Sequence, residues 1–257
     1  ISKPESLTCV SSHATYLFSN AEFTSKFTVA RIKAMSGSEE TKTPKSTKHL
    51  TSSGATASST KGGLYSFHQL NSLAVIVVLA ASGLVSLEDS GFVILSSLYM
   101  YFMAKVAFPP NNRTESPVLD PNNKLFKSYV MVGGILGILL PVLYIFDGVS
   151  KGDKEGIKAA APHLFLLASQ VFVEGIAFHG KFSLPVRVFV PVFYNSRRIF
   201  SLVEWLGSEM VKGDGSNRRV LVGRGIAAAN LAFWSFNLFG FLLPLYLPRS
   251  FREYYSA

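Results

Sequence analysis

Apolar residues in this chain are gathered into long blocks that short charged segments separate. Alternation with a period of 2 predicts half-buried strands and a period of 3.6 predicts surface helices, whereas unbroken apolar blocks of about 18 residues predict membrane-spanning helices. The blocks cover residues 70–87, 91–108, 128–146, 157–178 and 222–247. In lipid each block must be a helix, because the backbone has no water to bond. We therefore predict an all-α, multi-pass transmembrane helix bundle with about five spans.

Two short segments set the limits of the second block. Glu88, Asp89 and Ser90 separate it from the first block, and Pro109 with Pro110 ends it, because proline cannot continue a helix. The first two blocks are therefore expected to form a tight helical hairpin.

The segment from Gly180 to Asp214, between the fourth and fifth blocks, mixes apolar and charged residues. Its apolar positions recur at three, four and seven residues: Val192, Ile199, Val203, Leu206 and Met210. This spacing predicts an amphipathic helix that lies flat in the headgroup region, with Phe193, Tyr194, Phe200 and Trp205 as interfacial anchors. The alternative is an ordinary helix on the soluble side, packed on the ends of the bundle.

Basic residues predict an orientation. With the N-terminus on the cytosolic side, about fifteen basic residues lie on that side and five on the other, and five spans place the C-terminus opposite. A six-span arrangement, with residues 182–194 inside the membrane, would move the basic residues from Arg197 to Arg224 outward. The basic bias disfavours it.

Composition narrows the classes of function. The 257 residues include 25 basic and 16 acidic ones, a net charge of +9 that in a multi-pass protein indicates topology and not nucleic-acid binding. Cys9 is the single cysteine, so neither an internal disulfide nor a cysteine-based zinc site is expected. We predict no nucleic-acid partner, no metal and no cofactor.

The start of the chain is expected to be a disordered tail, residues 1–63, ahead of a transmembrane helical domain, residues 64–257. Residues 1–34 have two interpretations, a targeting peptide or translated upstream sequence with Met35 as the initiator. Residues 36–62 are rich in Ser, Thr, Lys and Gly and cannot bury enough apolar surface to fold.

Four stretches carry a resemblance to a known family: YSFHQLNSLAV at 65–75, GDKEGIKAAAPHLFLLASQVFVEG at 152–175, SLPVRVFVPVFYNSRRIF at 183–200 and FWSFNLFGFLLPLYLPR at 233–249. Together they resemble a plant-specific family of multi-pass membrane proteins described as a domain of unknown function, over residues 65–255. The resemblance implies a plant source and residence in a membrane. It implies no activity, substrate or catalytic residue.

Ionisable side chains inside spans cost roughly 2.5 to 3.5 kcal/mol each on insertion scales. Lys105 and Glu174 lie near the ends of the second and fourth blocks, at what we expect to be nearly the same depth, which would allow them to pair. His163, Gln170 and Glu174 share one helix face at spacings of seven and four. The stripe is either a track that binds protons or solutes, or a structural group with Lys105 reaching the headgroups.

Small and amide residues predict helix contacts. Asn230 and Asn237, seven apart, share a face that is expected to join helices by hydrogen bonds. Gly133 and Gly137 form a small-residue surface that lets another backbone approach, either within the chain or in a homodimer.

The densest basic surface predicted from the sequence comprises Arg197, Arg198, Arg218, Arg219 and Arg224. Guanidinium groups suit phosphate oxygens, so these arginines are candidates for anionic lipid headgroups. Ordinary retention of a basic loop on the cytosolic side is the alternative.

No metalloprotease, nucleophile-elbow, P-loop or dinucleotide motif occurs in the chain, so an enzyme is not favoured. An unfamiliar membrane enzyme would use His163 or His179 with Glu174. We predict a non-enzymatic scaffold or accessory subunit that recognises lipid or a membrane partner. The alternative is a small-solute or ion transporter or channel with an intramembrane Lys–Glu pair. The endomembrane system or the plasma membrane is the favoured location, with a plastid membrane as the alternative.

Overall fold

A computed structural model describes residues 67–110, 124–179, 182–213 and 218–256, and all regular structure in these ranges is helical. The predicted disordered tail, residues 1–63, lies outside the described residues. Six helices follow one another: α1 Phe67–Ala81, α2 Leu87–Ala107, α3 Lys124–Lys151, α4 Lys154–His179, α5 Leu184–Val211 and α6 Arg218–Ser256.

Four of these helices, α2, α3, α4 and α6, are long and apolar enough to cross a membrane. They correspond to the second, third, fourth and fifth apolar blocks, while the first block forms the shorter helix α1 of 15 residues. Wider π-helical turns end α2 at Met103–Ala107 and interrupt α3 at Ile135–Leu139 and α6 at Phe236–Tyr246. The all-helical class is confirmed.

The second helix begins four residues earlier than predicted. Ser86 has extended backbone angles and its side chain accepts a hydrogen bond from the Asp89 N–H at 3.1 Å, which caps α2. Glu88 and Asp89 therefore lie inside the first turn, where the helix dipole favours acidic side chains. The acidic residues start this helix and do not interrupt it.

Helix α5 runs antiparallel to α4 along much of its length. Gln170 of α4 contacts Arg198, and seven residues earlier His163 lies beside Trp205, seven residues later on α5. Residue numbers therefore increase in opposite directions along the two helices, as in an antiparallel pair.

Helix α6 packs against α5 in the same way. Arg224 bonds the Glu209 carbonyl, Trp234 lies under Arg198, and Leu242 packs in one cluster with Val188. Helix α5 therefore lies lengthwise beside two of the four candidate spans.

The helix bundle has two ends, a near end and a far end, each marked by a contact between helices. The near end holds the last turn of α2 and the first turn of α5, where the Ser183 hydroxyl donates to the Phe108 carbonyl at 2.8 Å. The far end holds the α3–α4 turn and the start of α6, where Asp153 bonds Arg219 at 2.8 Å.

The polar side of α5 does not face outward, as the prediction of a helix lying flat in the headgroup region required. Its buried residues extend from Leu184 to Glu209, and Asn195, Arg198 and Glu209 are 0% exposed, whereas Phe200 and Val203 are exposed. The helix is amphipathic, but its polar side faces the bundle interior. Its polar groups find partners on α3, α4 and α6 and not in water.

Candidate functional site

A charged side chain lies at the centre of the bundle. Arg198 is halfway along α5, about 20 Å from either end of that helix, and none of its surface is exposed. A guanidinium group at this depth needs hydrogen-bond acceptors from the protein itself.

Three neighbours hold the Arg198 guanidinium. Its Nη1 donates to Asn195 Oδ1 at 2.7 Å, and its Nη2 donates to Gln170 Oε1 at 2.5 Å. Its central carbon lies 4.3 Å from the centre of the Trp234 ring, in position for a cation–π interaction. The Trp234 indole in turn donates to Asn230 Oδ1 at 3.1 Å, so Asn230 orients the ring on which Arg198 rests.

Gln170 connects this cation to a buried carboxylate. Its Nε2 donates to Glu174 Oε1 at 2.7 Å, while its Oε1 accepts from Arg198. An amide carries both a donor and an acceptor, so it can join an anion to a cation that do not touch. We call this arrangement the Arg198–Gln170–Glu174 relay.

His163 lies one step further toward the far end. Its Nε2 lies 2.9 Å from the carbonyl of Gly137, inside the π-helical turn of α3, so we assign Nε2 as the protonated nitrogen. Its ring lies between those of Trp205 and Trp234, at centroid distances of 6.3 and 6.4 Å. Such π-helical turns occur frequently at functional sites.

A second polar group, the far-end cluster, consists of Tyr144, Asp147, Asp153, Glu209, Lys212 and Arg219. Glu209 is fully buried and accepts from the Tyr144 hydroxyl and from Lys212, both at 2.7 Å. Arg219 donates to Asp147 at 2.6 Å and to Asp153 at 2.8 Å.

Asp153 lies in the turn between α3 and α4. Burial raises the pKa of its carboxyl, but the Gly156 N–H, the Arg219 side chain and the charge of Lys212 together outweigh burial. The pKa of Asp153 therefore lies below its ordinary value of 3.8, which keeps this carboxylate charged and bonded.

A family model matches residues 65–255, and its description is Domain of unknown function (DUF7733). The chain belongs to this family. The match spans α1 to α6 almost completely and confirms the resemblance to an uncharacterised family, while a plant source stays a prediction. No curated protein and no solved structure matches the chain.

The structure of this DUF7733 chain does not pair Lys105 with Glu174. Lys105 is exposed on α2, where its Nζ lies 5.8 Å from the Tyr101 ring, whereas Glu174 is buried against Gln170. By the α4–α5 register Glu174 lies opposite Tyr194, which contacts Ser96 of α2. Lys105 lies nine residues beyond Ser96, about 13 Å nearer the near end, so the predicted equal depth is wrong.

The amide and glycine residues serve contacts within the chain. Asn237 accepts from the Tyr129 hydroxyl at 2.5 Å and so joins α6 to α3, while Asn230 bonds within α6. A Cβ on Gly133 would meet Phe233 at 3.1 Å, and one on Gly137 would meet Trp234 at 2.8 Å. These glycines thus allow close contact with α6 within the chain, and a homodimer through them stays a prediction.

The five candidate lipid-binding arginines do not form one exposed surface. Arg198 and Arg219 are buried, Arg197 pairs with Asp89 at 2.8 Å, and Arg224 donates to carbonyl oxygens at the end of α5. Among the five, Arg218 alone is exposed. The sequence interpretation missed Tyr144, Asp153 and Glu209, whose contacts join α3, the α3–α4 turn and α5.

The described ranges contain no group of three His, Cys, Asp or Glu residues that could hold a metal ion. The side chain of His179, a suspect for an unfamiliar enzyme, lies outside what the structure describes. The site is therefore defined by hydrogen bonds between ionisable and amide groups.

Proposed function

We propose that this protein is an integral membrane protein that takes up and conducts protons through its helical bundle. The observation that carries the proposal is the fully buried Arg198–Gln170–Glu174 relay at mid-length of the bundle. Membrane residence of the bundle is part of the proposal.

Packing supports crossing of the membrane by α5 together with α4 and α6. If α4 and α6 cross, α5 lies at the same depths, because its contacts with α6 extend from Val188 to Glu209 and its contacts with α4 extend from Val190 to Trp205. Aromatic rings gather at the near end, where Phe108 lies 6.1 Å from Phe189 and 5.4 Å from Phe251. Such rings are typical of the membrane–water interface.

Gln69 in the first turn of α1 lies beside Gly175 of α4, and Phe251 of α6 contacts Phe108, so both ends of the described chain lie at the near end. In the sequence, ten basic residues adjoin the near-side ends of the helices: Lys48, Lys61, Lys105, Arg113, Lys124, Lys127, Lys181, Arg187, Arg249 and Arg252. Seven lie on the far side: Lys151, Lys154, Lys158, Lys212, Arg218, Arg219 and Arg224. The excess of basic residues makes the near side the cytosolic side. The excess is smaller than with five spans, because crossing by α5 moves the basic residues after its C-terminal end to the far side.

Cysteine labelling in sealed vesicles tests this topology. The native Cys9, and Ser256→Cys in a Cys9→Ser background, should react with an impermeant maleimide from the same side. Labelling from opposite sides would support five spans and contradict the crossing of α5.

Energetics favour a functional over a purely structural reason for the relay. Each buried charge is costly to insert, and apolar replacements of a buried ion pair are often neutral or stabilising. A polar relay is therefore not required for a stable bundle. A group that accepts and releases a proton, in contrast, must be ionisable, as a carboxyl group such as that of Glu174 is.

The proton is the favoured cargo because short hydrogen bonds hold the side chains of the relay. These bonds are 2.5 to 2.7 Å long, and Asn195 and Trp234 also contact Arg198. A proton can bind Glu174 without displacing these side chains. The lipid-recognising scaffold has no comparable support, since four of its five arginines are engaged within the chain.

Proteoliposomes that enclose a pH-sensitive dye test the proposal, with a potassium diffusion potential as the driving force. The wild-type protein should acidify or alkalinise the lumen according to the sign of the potential. Glu174→Gln should reduce the rate at least ten-fold, while Lys105→Met, a matched change at an exposed position, should leave it unchanged. A wild-type rate equal to that of empty liposomes would refute the proposal.

A further inference from the structure

Three fully buried residues, from His163 beside the relay to Glu209 in the far-end cluster, carry polar atoms for which the described part of the chain offers no hydrogen-bond partner. These atoms are His163 Nδ1, Trp205 Nε1 and Glu209 Oε2. Buried polar groups are nearly always hydrogen-bonded, so three of them in one region need an explanation.

The three side chains are neighbours. The rings of His163 and Trp205 lie 6.3 Å apart, and Glu209 follows Trp205 by one helical turn on α5. Tyr144 lies beside both residues of α5, because its ring is 5.4 Å from that of Trp205 and its hydroxyl donates to Glu209. They therefore occupy one stretch of the interior, between α3, α4 and α5.

Their hydrogen-bonding capacities are complementary. With Nε2 of His163 donating to Gly137, the Nδ1 atom presents a lone pair, and the Glu209 carboxylate oxygen is also an acceptor. The indole N–H of Trp205 is a donor only. A molecule that both accepts and donates hydrogen bonds, as water does, satisfies all three.

Gly223 of α6 lies directly against this carboxylate. A Cβ at position 223 would lie 2.7 Å from Glu209 Oε2 and 3.0 Å from the Tyr144 ring. The lack of a side chain there lets the carboxylate oxygen lie against the α6 backbone. Any larger residue would displace it.

We infer that Trp205, His163 and Glu209 bind internal water, and that this water links the relay to the far-end cluster as the far half of the proton path. The water site stands on the three unpartnered atoms alone, while its role as a path rests on the proposed function. Charged and titratable groups face it from each side: Arg198 beyond His163, Tyr144 and Lys212 on Glu209, and Asp153 and Arg219 at the far end.

Indole NMR tests the water site directly. The sequence holds two tryptophans, Trp205 and Trp234, so protein labelled with ¹⁵N-tryptophan in nanodiscs should give two indole N–H signals. The Trp234 N–H is bonded to Asn230 and serves as the internal control. We expect a water cross-peak at the Trp205 indole, assigned by its loss in Trp205→Phe, at least five-fold stronger than at Trp234. No cross-peak at Trp205, or equal cross-peaks at both indoles, would overturn the inference.

The liposome assay tests the path separately. Trp205→Phe keeps an aromatic ring but removes the N–H, and should lower proton flux about ten-fold, whereas Glu204→Gln, at the exposed neighbouring position, should not. A hydrated Trp205 in a protein without proton flux would refute the proposed function and leave the water site standing. Flux that Trp205→Phe leaves unchanged would overturn the path.

Discussion

Removal of the positive charge at the centre of the bundle should destabilise the fold strongly. Arg198→Met keeps an unbranched chain of similar reach but deletes the two donors that bond Asn195 and Gln170. It also deletes the cation above Trp234. Glu174 then stays buried without the cation to which Gln170 connects it.

The expected loss follows from these contacts. Two charge-assisted hydrogen bonds contribute roughly 1.5 to 3 kcal/mol each, and a desolvated cation–π contact about 2 kcal/mol. Methionine recovers part of this sum, because its side chain needs no desolvation of a charge. Removal of one partner of a buried ionic network typically costs about 3 to 5 kcal/mol, and we expect a loss in this range.

The assay is reversible unfolding in mixed micelles, with far-UV circular dichroism as the signal. Lys105→Met, the same loss of a positive charge at an exposed site, should stay within about 0.5 kcal/mol of the wild type. The double variant Arg198→Met with Glu174→Gln should be more stable than the sum of the single changes by roughly 1 to 3 kcal/mol. A loss below about 1 kcal/mol for Arg198→Met, or strict additivity in the double variant, would refute the relay.

Three further predictions concern packing, pH and a contact between helices. Gly137→Ala should destabilise the fold by about 1 to 3 kcal/mol, because its Cβ would lie 2.8 Å from the Trp234 indole ring. Gly207→Ala, the control, has nothing within 4 Å of its Cβ and should be neutral or stabilising by up to about 1 kcal/mol. Equal effects of the two changes in thermal unfolding would contradict this prediction. Because the pKa of Asp153 is lowered in the folded state, its ionised form adds stability that is fully present above pH 3.8 and is lost as the pH falls through the folded pKa. Asp153→Asn should therefore reduce the change of the unfolding free energy with pH in that acidic range. An unchanged pH dependence would argue against the far-end contacts. Tyr129→Phe should cost about 1 to 2 kcal/mol through the lost bond to Asn237, and a neutral result in the same micelle titration would show that this bond does not join α3 to α6.

The sequence by itself determined which segments are helical and apolar. Continuous apolar blocks admit few structures other than membrane-type helices, so the second, third and fourth blocks could be located to within about five residues, and the fifth block at its start but not at its end, which lies nine residues further on. Spacings of four and seven also placed His163, Gln170 and Glu174 on one face, because helical geometry is local. The start of α2 at Ser86 could have been predicted from the sequence, because a serine three residues before an acidic residue is a typical helix N-cap pattern.

Tertiary structure alone decided what each polar face meets. The pattern of α5 is the same whether its polar side faces water or a polar core, so periodicity could not reveal that Asn195, Arg198 and Glu209 point inward. Lys105 and Glu174 appeared equivalent because each lies near a helix end, but their depth and direction depend on how α2 and α4 are packed. The relay and the far-end cluster join residues distant in the chain, and only the packing of α3 to α6 brings them within hydrogen-bond distance.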